Sequence, residues 1–135
     1  MYSNIQLEKG SEATEYTPHK GFGYESGSNE NGNWIKYDDG TMICYGNKAV
    51  GEVECVTEWG GLYQGTADNL ITYPQEFIEV KHLEITAIPT TSSSFWTMMR
   101  SREYLSTGYS GMYFIRPSAA TISPFISWKA IGRWK

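Results

Sequence analysis

The chain has 135 residues, of which 40% are hydrophobic and 19% charged, so it can bury a core and does not have the composition of a disordered chain. Its net charge is −4 and no run of Lys and Arg stands out, which argues against a nucleic-acid partner. No segment approaches the ~18–20 consecutive apolar residues of a membrane span, so we expect no membrane partner either.

Aromatic residues make up 15% of the chain, including 10 Tyr and 5 Trp, alongside 14 Gly. This combination favours strands and turns over helices, because aromatic side chains suit a pleated surface and glycine suits turns. The two cysteines, Cys44 and Cys55, are too few for a disulfide framework and have no CxxC companions that would indicate a zinc site. We expect reduced cysteines in strands, with a hairpin-spanning disulfide as the alternative.

The first 33 residues divide into two segments. Residues 1–20 contain one alternating apolar segment around Ile5 and Leu7, which predicts a single strand with one buried face. Because that strand has no partner nearby in sequence, we interpret 1–20 as the remnant of an upstream domain or as an arm on a neighbouring subunit. Residues 21–33 are rich in Gly, Ser, Asn and Glu, which predicts a flexible linker before a domain spanning 34–135.

The next stretch, NWIKYDDGTMICYG at 33–46, has the pattern of a β-hairpin. Two runs of aromatic and β-branched residues flank Asp38-Asp39-Gly40, and Asp-Gly is a strong hairpin signal because glycine accepts positive φ without steric cost. A strand follows within 47–59 and ends at Gly60-Gly61. Residues 62–75 are predicted to form a long loop.

Several shorter strands are predicted over the rest of the chain. The apolar pattern changes phase near Lys81, which predicts a bulge there, and residues 82–88, 95–100 and 112–116 are predicted strands. A loop is expected over 101–111. The last strand, 124–134, alternates apolar and polar residues, and Gly132 on its apolar side leaves room for a neighbouring ring. Six or seven short strands without an amphipathic helix predict an all-β, small antiparallel β-sandwich.

Three segments resemble known proteins. Residues 3–19 resemble the closing strand of jelly-roll modules in structural tail proteins of phages that infect Gram-positive bacteria. Residues 26–46 resemble the opening, and residues 126–135 the terminal strand, of a C-terminal domain in phage tail-fibre and receptor-binding proteins. The resemblance implies a sandwich similar to an H-type lectin, a homotrimer at the tip of a fibre, and binding of a host cell-surface glycan. It also implies an upstream tail-protein domain and a location in the virion after assembly in the bacterial cytoplasm.

Catalytic and metal-binding patterns are weak. His82 has no nucleophile motif around it, and Glu52 and Glu54, although spaced like a carboxylate pair on one strand face, are also ordinary surface residues. The Asp38-Asp39 pair is explained by turn chemistry. We therefore expect no enzymatic activity, no cofactor and no metal.

Carbohydrate binding has more support, because sugars stack their C–H faces on aromatic rings and present hydroxyls to nearby polar groups. Two segments carry this mixture, and their candidate residues are Trp59, Tyr63, Gln64, Asp68 and Asn69 in one and Trp96, Arg100, Arg102, Tyr104 and Tyr109 in the other. The alternative is that the two tryptophans are core residues at strand ends and the tyrosines rim or interface residues.

Self-association is a further use for exposed aromatic residues. Interfaces are enriched in Tyr, Trp, Met and Arg, and residues 98–100, 112–113 and 116 have this composition. The leading prediction is a trimeric, non-enzymatic tail-fibre tip domain that binds a bacterial surface carbohydrate. A trimerisation cap without a ligand and a polysaccharide depolymerase are the alternatives.

Overall fold

The computed structural model of the chain describes residues 23–90, 94–100 and 104–135. These residues form an all-β fold, as predicted. The strands are β1 (Tyr24–Asn29), β2 (Gly32–Tyr37), β3 (Thr41–Ala49), β4 (Val53–Cys55), β5 (Thr57–Trp59), β6 (Leu62–Ala67), β7 (Ile71–Thr72), β8 (Glu79–Pro89), β9 (Trp96–Met99), β10 (Gly108–Tyr109), β11 (Met112–Arg116), β12 (Ala120–Ile122) and β13 (Pro124–Arg133). Within the described ranges, the chain has no helix of the length and hydrophobicity needed to cross a membrane.

The predicted hairpin is confirmed as β2 and β3. Gly40 has a φ of +99°, and its amide donates a 3.0 Å hydrogen bond to the oxygen of Tyr37. Asp39 stabilises the turn because its Oδ1 accepts a 2.8 Å hydrogen bond from the amide of Thr41, an interaction that also lowers the pKa of this carboxyl. Glycine and aspartate therefore act here as the turn chemistry predicts.

The larger sheet has five antiparallel strands in the order β1–β2–β3–β13–β8. The C-terminal strand β13 lies inside this sheet and pairs over nearly its whole length with β3 on one side and β8 on the other. The register of β8 shifts between Ile131 and Gly132, where His82 and Val80 are the successive partners and Lys81 is the extra residue. The bulge predicted near Lys81 is thus confirmed.

A four-stranded antiparallel sheet, in the order β5–β6–β11–β9, lies opposite. Its first hairpin turns at Gly60-Gly61, with φ values of +60° and +86°, which is the geometry of a two-residue turn with both central residues at positive φ. Two short pairs, β10 with β7 and β12 with β4, complete the described strands.

One apolar core fills the space between the two sheets, which makes the fold a sandwich. Met42, Cys44 and Ile126 face inward from the larger sheet, and Met112 and Phe114 face them from the smaller one. Gly132 also faces inward, and a Cβ placed there would lie 2.9 Å from a ring carbon of Phe77. The expectation that this glycine admits a ring is therefore confirmed.

Two stretches differ from the prediction. Residues 24–29, predicted as part of a linker, form the edge strand β1, because their backbone pairs fully with β2 although their side chains are small and polar. Residues 62–67, predicted as a loop, form β6, the partner of both β5 and β11. Neither stretch has the alternation of apolar and polar residues that marks a strand. Main-chain pairing with neighbouring strands, and not burial of side chains, holds each of them in its sheet. The arm predicted over 1–20 lies outside the described residues.

Both cysteines are buried free thiols. Burial raises the pKa of Cys44 to about 12 and also raises the pKa of Cys55, whose Sγ donates a 3.5 Å hydrogen bond to the oxygen of Phe114. They pack as small apolar groups, which is the first of the two alternatives that the sequence left open.

Candidate functional site

The outer face of the four-stranded sheet carries exposed aromatic side chains. Directly paired residues of antiparallel strands lie on the same face, so the register places Trp59 beside Leu62, and Trp96 beside Ile115 and Gln64. We call this surface the tryptophan face and define it by the residues Trp59, Leu62, Gln64, Trp96, Met98, Ile115 and Tyr113, together with the pair Asp68 and Arg100 at its end.

The two tryptophans are largely open to solvent. Trp59 is 53% exposed and Trp96 is 59% exposed. They lie on the two edge strands, β5 and β9, roughly 14 Å apart across the sheet at the usual strand spacing. Trp59 is also displaced along its strand, because Thr57 is the residue level with Trp96. Two exposed indoles at this separation can each contact one unit of an extended ligand.

An ion pair closes one end of the tryptophan face. Arg100 Nη1 donates a hydrogen bond to Asp68 Oδ1, and the guanidinium carbon lies 5.6 Å from the centre of the Tyr113 ring. The Asp68 carboxylate, and then Tyr113, raise the pKa of Arg100. The guanidinium is thereby oriented across the sheet, with donors available for a polar ligand group.

The structure brings some of the predicted binding residues together and separates others. Trp59, Gln64, Asp68, Trp96 and Arg100 share the tryptophan face. The remaining described candidates lie elsewhere: Tyr63 on the opposite side of β6 beside Arg116, Asn69 in the turn after β6 with a φ of 50°, and Tyr104 and Tyr109 against the core.

Tyr109 shows why the candidates of the second predicted binding segment do not all lie on the tryptophan face. Its side chain is only 2% exposed, because Gly108–Tyr109 forms a short strand that pairs with Ile71–Thr72 and does not lie in an open loop. The Tyr104 ring packs beside it in a tilted arrangement, with ring centres 6.1 Å apart. Arg102 lies outside the described residues.

Catalytic geometry is sparse over the described ranges. They contain no group of three or more His, Cys, Asp and Glu side chains that could hold a metal ion. Glu52 precedes β4 and Glu54 lies on it, both exposed, and His82 Nε2 is 3.1 Å from Glu84 Oε2 on the surface of β8.

A polar cleft of about 640 Å³ opens on the outer face of the other, five-stranded sheet. We call it the five-strand cleft and define it by the side chains of Ser28, Asn29, Glu30, Asn33, Tyr45, Asn47, Glu84, Thr86, Ser127 and Lys129. Sequence reasoning missed it, although the alternation of Ser127 and Lys129 with buried residues on β13 marks an outward face. Its remaining residues come from four other strands and one turn, and only the strand order places them together.

No family model matches the sequence, and no curated protein matches it. Among solved structures, the C-terminal part of the R1 pyocin fibre of P. aeruginosa is similar, with a TM-score of 0.52 and 18% identity over 83% of this chain.

The fold is similar to part of a pyocin tail fibre. The chain spans only 28% of that fibre fragment, so the likeness concerns one portion of it. An N-truncated R1-type pyocin tail fibre, at 16% identity over 80% of this chain and 85% of the other, has a TM-score of 0.39, which is too low to establish a common fold.

Proposed function

We propose that this chain is a receptor-binding domain of a phage tail fibre, located in the virion tail, and that it binds a host bacterial surface carbohydrate without cleaving it. The sequence motifs at 26–46 and 126–135 and the fold similarity to part of a pyocin fibre support the tail-fibre role. A Gram-positive host, a likeness to H-type lectins and an upstream tail domain remain part of the proposal and rest on the sequence motifs.

The observation that carries the binding proposal is the pair of exposed tryptophans on one sheet face. Apolar ring surface of this size is costly to leave in water, and it suits the flat C–H face of a sugar ring. Gln64 and the Arg100–Asp68 pair lie on the same face. Their side chains can accept hydrogen bonds from sugar hydroxyls and donate hydrogen bonds to them.

Binding to isolated envelope fractions and to a glycan array tests the proposal. We expect Trp59→Ala and Trp96→Ala each to weaken retention of the protein on a host envelope fraction by at least about fivefold, since loss of an aromatic contact costs on the order of 1 kcal/mol. Ile78→Ala is the matched control, because Ile78 is 68% exposed but lies outside the face. Retention unchanged in both tryptophan variants would reject this face as the binding surface.

A trimerisation cap is the second candidate function, and the same surface favours it. Met98 is also exposed and pairs directly with Tyr113, so the face has the Trp, Met, Tyr and Arg composition of subunit interfaces. A homotrimer would bury edge strands and multiply a weak affinity for sugar through avidity.

Light scattering of Trp96→Ala distinguishes the two functions. If the variant remains trimeric and loses envelope binding, the face binds sugar. If the wild-type trimer dissociates on this substitution, the face is the interface. Incubation with host polysaccharide, assayed for new reducing ends with Glu52→Gln as the control, tests the depolymerase alternative; we expect no new ends.

A further inference from the structure

We propose that the five-strand cleft is a second ligand site, which takes an uncharged polyhydroxylated unit such as a neutral hexose or N-acetylhexosamine residue of a glycan. Its volume of about 640 Å³ falls in the range of ~300–1,000 Å³ that is usual for small-molecule sites. It lies on the sheet opposite the tryptophan face and shares no residue with it. The site stands on its own geometry, and only the biological source of its ligand rests on the proposed function.

Every strand of the sheet contributes side chains to the cleft. The register places in a single row, across the five strands, the side chains of Ser28, Asn33, Tyr45, Lys129 and Glu84. A second row of Asn47, Ser127 and Thr86 adjoins it. Amide and hydroxyl groups therefore cover a continuous patch two rows deep, held by the most extensively paired strands of the fold.

These groups have unused hydrogen-bonding capacity. Within the described ranges, the side chains of Asn33, Asn47 and Ser127 make no hydrogen bond to protein. Each amide offers two donors and one acceptor, and each hydroxyl can do either. A sugar hydroxyl also both donates and accepts hydrogen bonds. A row of amides and hydroxyls is therefore better suited to a sugar than to an apolar molecule.

The charges of the cleft disfavour an ionic ligand. Glu30 and Glu84 give it two carboxylates, and Lys129, directly opposite Glu84, gives it one ammonium group. An anion would face the carboxylates, and a cation would face Lys129 and compete with His82, whose Nε2 already lies 3.1 Å from Glu84 Oε2. A neutral ligand that uses these groups as hydrogen-bond partners meets neither repulsion.

The cleft also has an aromatic surface and a fixed wall. Tyr45 is 42% exposed and presents its ring within the row. The wall is the turn between β1 and β2, which is anchored because Asn29 Nδ2 donates a 3.0 Å hydrogen bond to the oxygen of Pro74 and its Oδ1 accepts one of 2.8 Å from the amide of Asn31. A preformed wall lowers the entropic cost of binding.

Titration of the ¹⁵N-labelled protein with methyl α-D-glucopyranoside, methyl β-D-galactopyranoside and N-acetyl-D-glucosamine tests the proposal. With at least one of them, we expect saturable amide shifts at Tyr45, Asn47, Ser127 and Lys129. Asn47→Ala and Ser127→Ala should each weaken the fitted affinity by about fivefold, the effect of one lost neutral hydrogen bond. Thr121→Ala, an exposed hydroxyl on β12 outside both surfaces, should leave it unchanged.

The outcomes separate this site from the proposed function. Shifts in the cleft alone, or in the cleft and the tryptophan face, support the second site. Shifts confined to the tryptophan face overturn it and leave the proposed function intact. No saturable shift in the cleft with any of the three sugars also overturns it, whereas the envelope assay with Trp59→Ala and Trp96→Ala still decides the proposed function.

Discussion

Trp134 donates a 2.8 Å hydrogen bond from its indole Nε1 to the main-chain oxygen of Tyr37, 97 positions earlier in the chain. The end of β13 is thereby joined to the end of β2. Lys36 Nζ lies 5.2 Å from the centre of the same indole ring, which adds a cation–π contact. The C-terminal strand is thus fixed at its tip as well as along its length, as expected from its pattern of tryptophans.

Trp134→Phe should lower the free energy of unfolding by about 1–2 kcal/mol, because it removes this hydrogen bond and part of the packed ring. Urea denaturation followed by circular dichroism measures the effect. Trp96→Phe is the control: Trp96 is exposed, so we expect a change below about 0.5 kcal/mol. Equal effects in the two variants would contradict a stabilising role for the contact.

Gly132→Ala should destabilise the fold by about 1–3 kcal/mol. A Cβ at this position would lie 2.1 Å from the oxygen of Glu79 and 2.9 Å from the Phe77 ring, so backbone and ring would both have to move. Thermal unfolding measures the loss, with Ser127→Ala on the exposed side of the same strand as the control. A melting temperature like that of the wild type would show that the backbone at the bulge can shift at little cost in free energy.

Tyr73→Phe should stabilise the protein by about 1 kcal/mol. The Tyr73 hydroxyl is buried and has no hydrogen-bond partner over the described ranges, so the folded state carries the cost of its desolvation. Tyr113→Phe provides the contrast, since Tyr113 is only half-buried and packs its ring near the Arg100 guanidinium, so removal of its hydroxyl should be neutral or slightly destabilising. Destabilisation by Tyr73→Phe would indicate that a buried water satisfies the hydroxyl.

Alkaline pH should destabilise the fold through Cys44. Burial raises the pKa of this thiol from 9.0 to about 12, so above pH 9 the unfolded state releases a proton that the folded state retains. Stability is therefore complete below pH 9 and falls as the pH rises toward 12, by at most about 1.4 kcal/mol per pH unit from this group. The raised pKa values of Tyr73 and Cys55 act in the same direction.

The free energy of unfolding at pH 8 and pH 10, measured under reducing conditions, checks this dependence. Cys44→Ala should be less stable at pH 8 because it leaves a small cavity, yet it should lose less stability between the two pH values than the wild type. The same loss in both proteins would show that Cys44 does not contribute to the slope.

Asp68→Asn should separate stability from binding. The Arg100–Asp68 pair is substantially exposed and screened by solvent, so its loss should leave the free energy of unfolding nearly unchanged. Retention on a host envelope fraction should fall, because the guanidinium is no longer held over Tyr113. Glu58→Gln, an exposed carboxylate on β5, is the matched control. Unchanged retention in Asp68→Asn would remove the ion pair from the binding surface.

Local signals were sufficient for the parts of the fold in which pattern and burial agree. Asp-Gly predicted the central hairpin, the change of phase predicted the bulge at Lys81, and the alternation around Trp128 predicted β13. In each case the side chains that determine the pattern are the ones that the core buries or the turn requires.

The binding surfaces were harder to predict because they depend on strand order. Trp59 and Trp96 lie 37 positions apart in the sequence, and only the β5–β6–β11–β9 order places them on one face. Tyr109 lies in a polar, glycine-containing segment that predicted a loop, but it pairs with Ile71 in a short strand and its side chain is buried. For the five-strand cleft, the alternation on β13 marks only an outward face, because its polar residues resemble any solvated sheet face until the register aligns them.

The two ends of the described chain lie at the same turn. Asp38 donates its amide hydrogen to the oxygen of Gly23, and Trp134 donates its own to the oxygen of Gly40. The five-strand cleft lies about 20 Å farther along β3, on the outer face of the five-stranded sheet. A bulky group fixed at this turn would therefore occupy one end of the sheet and leave the cleft open to large ligands such as a glycan chain.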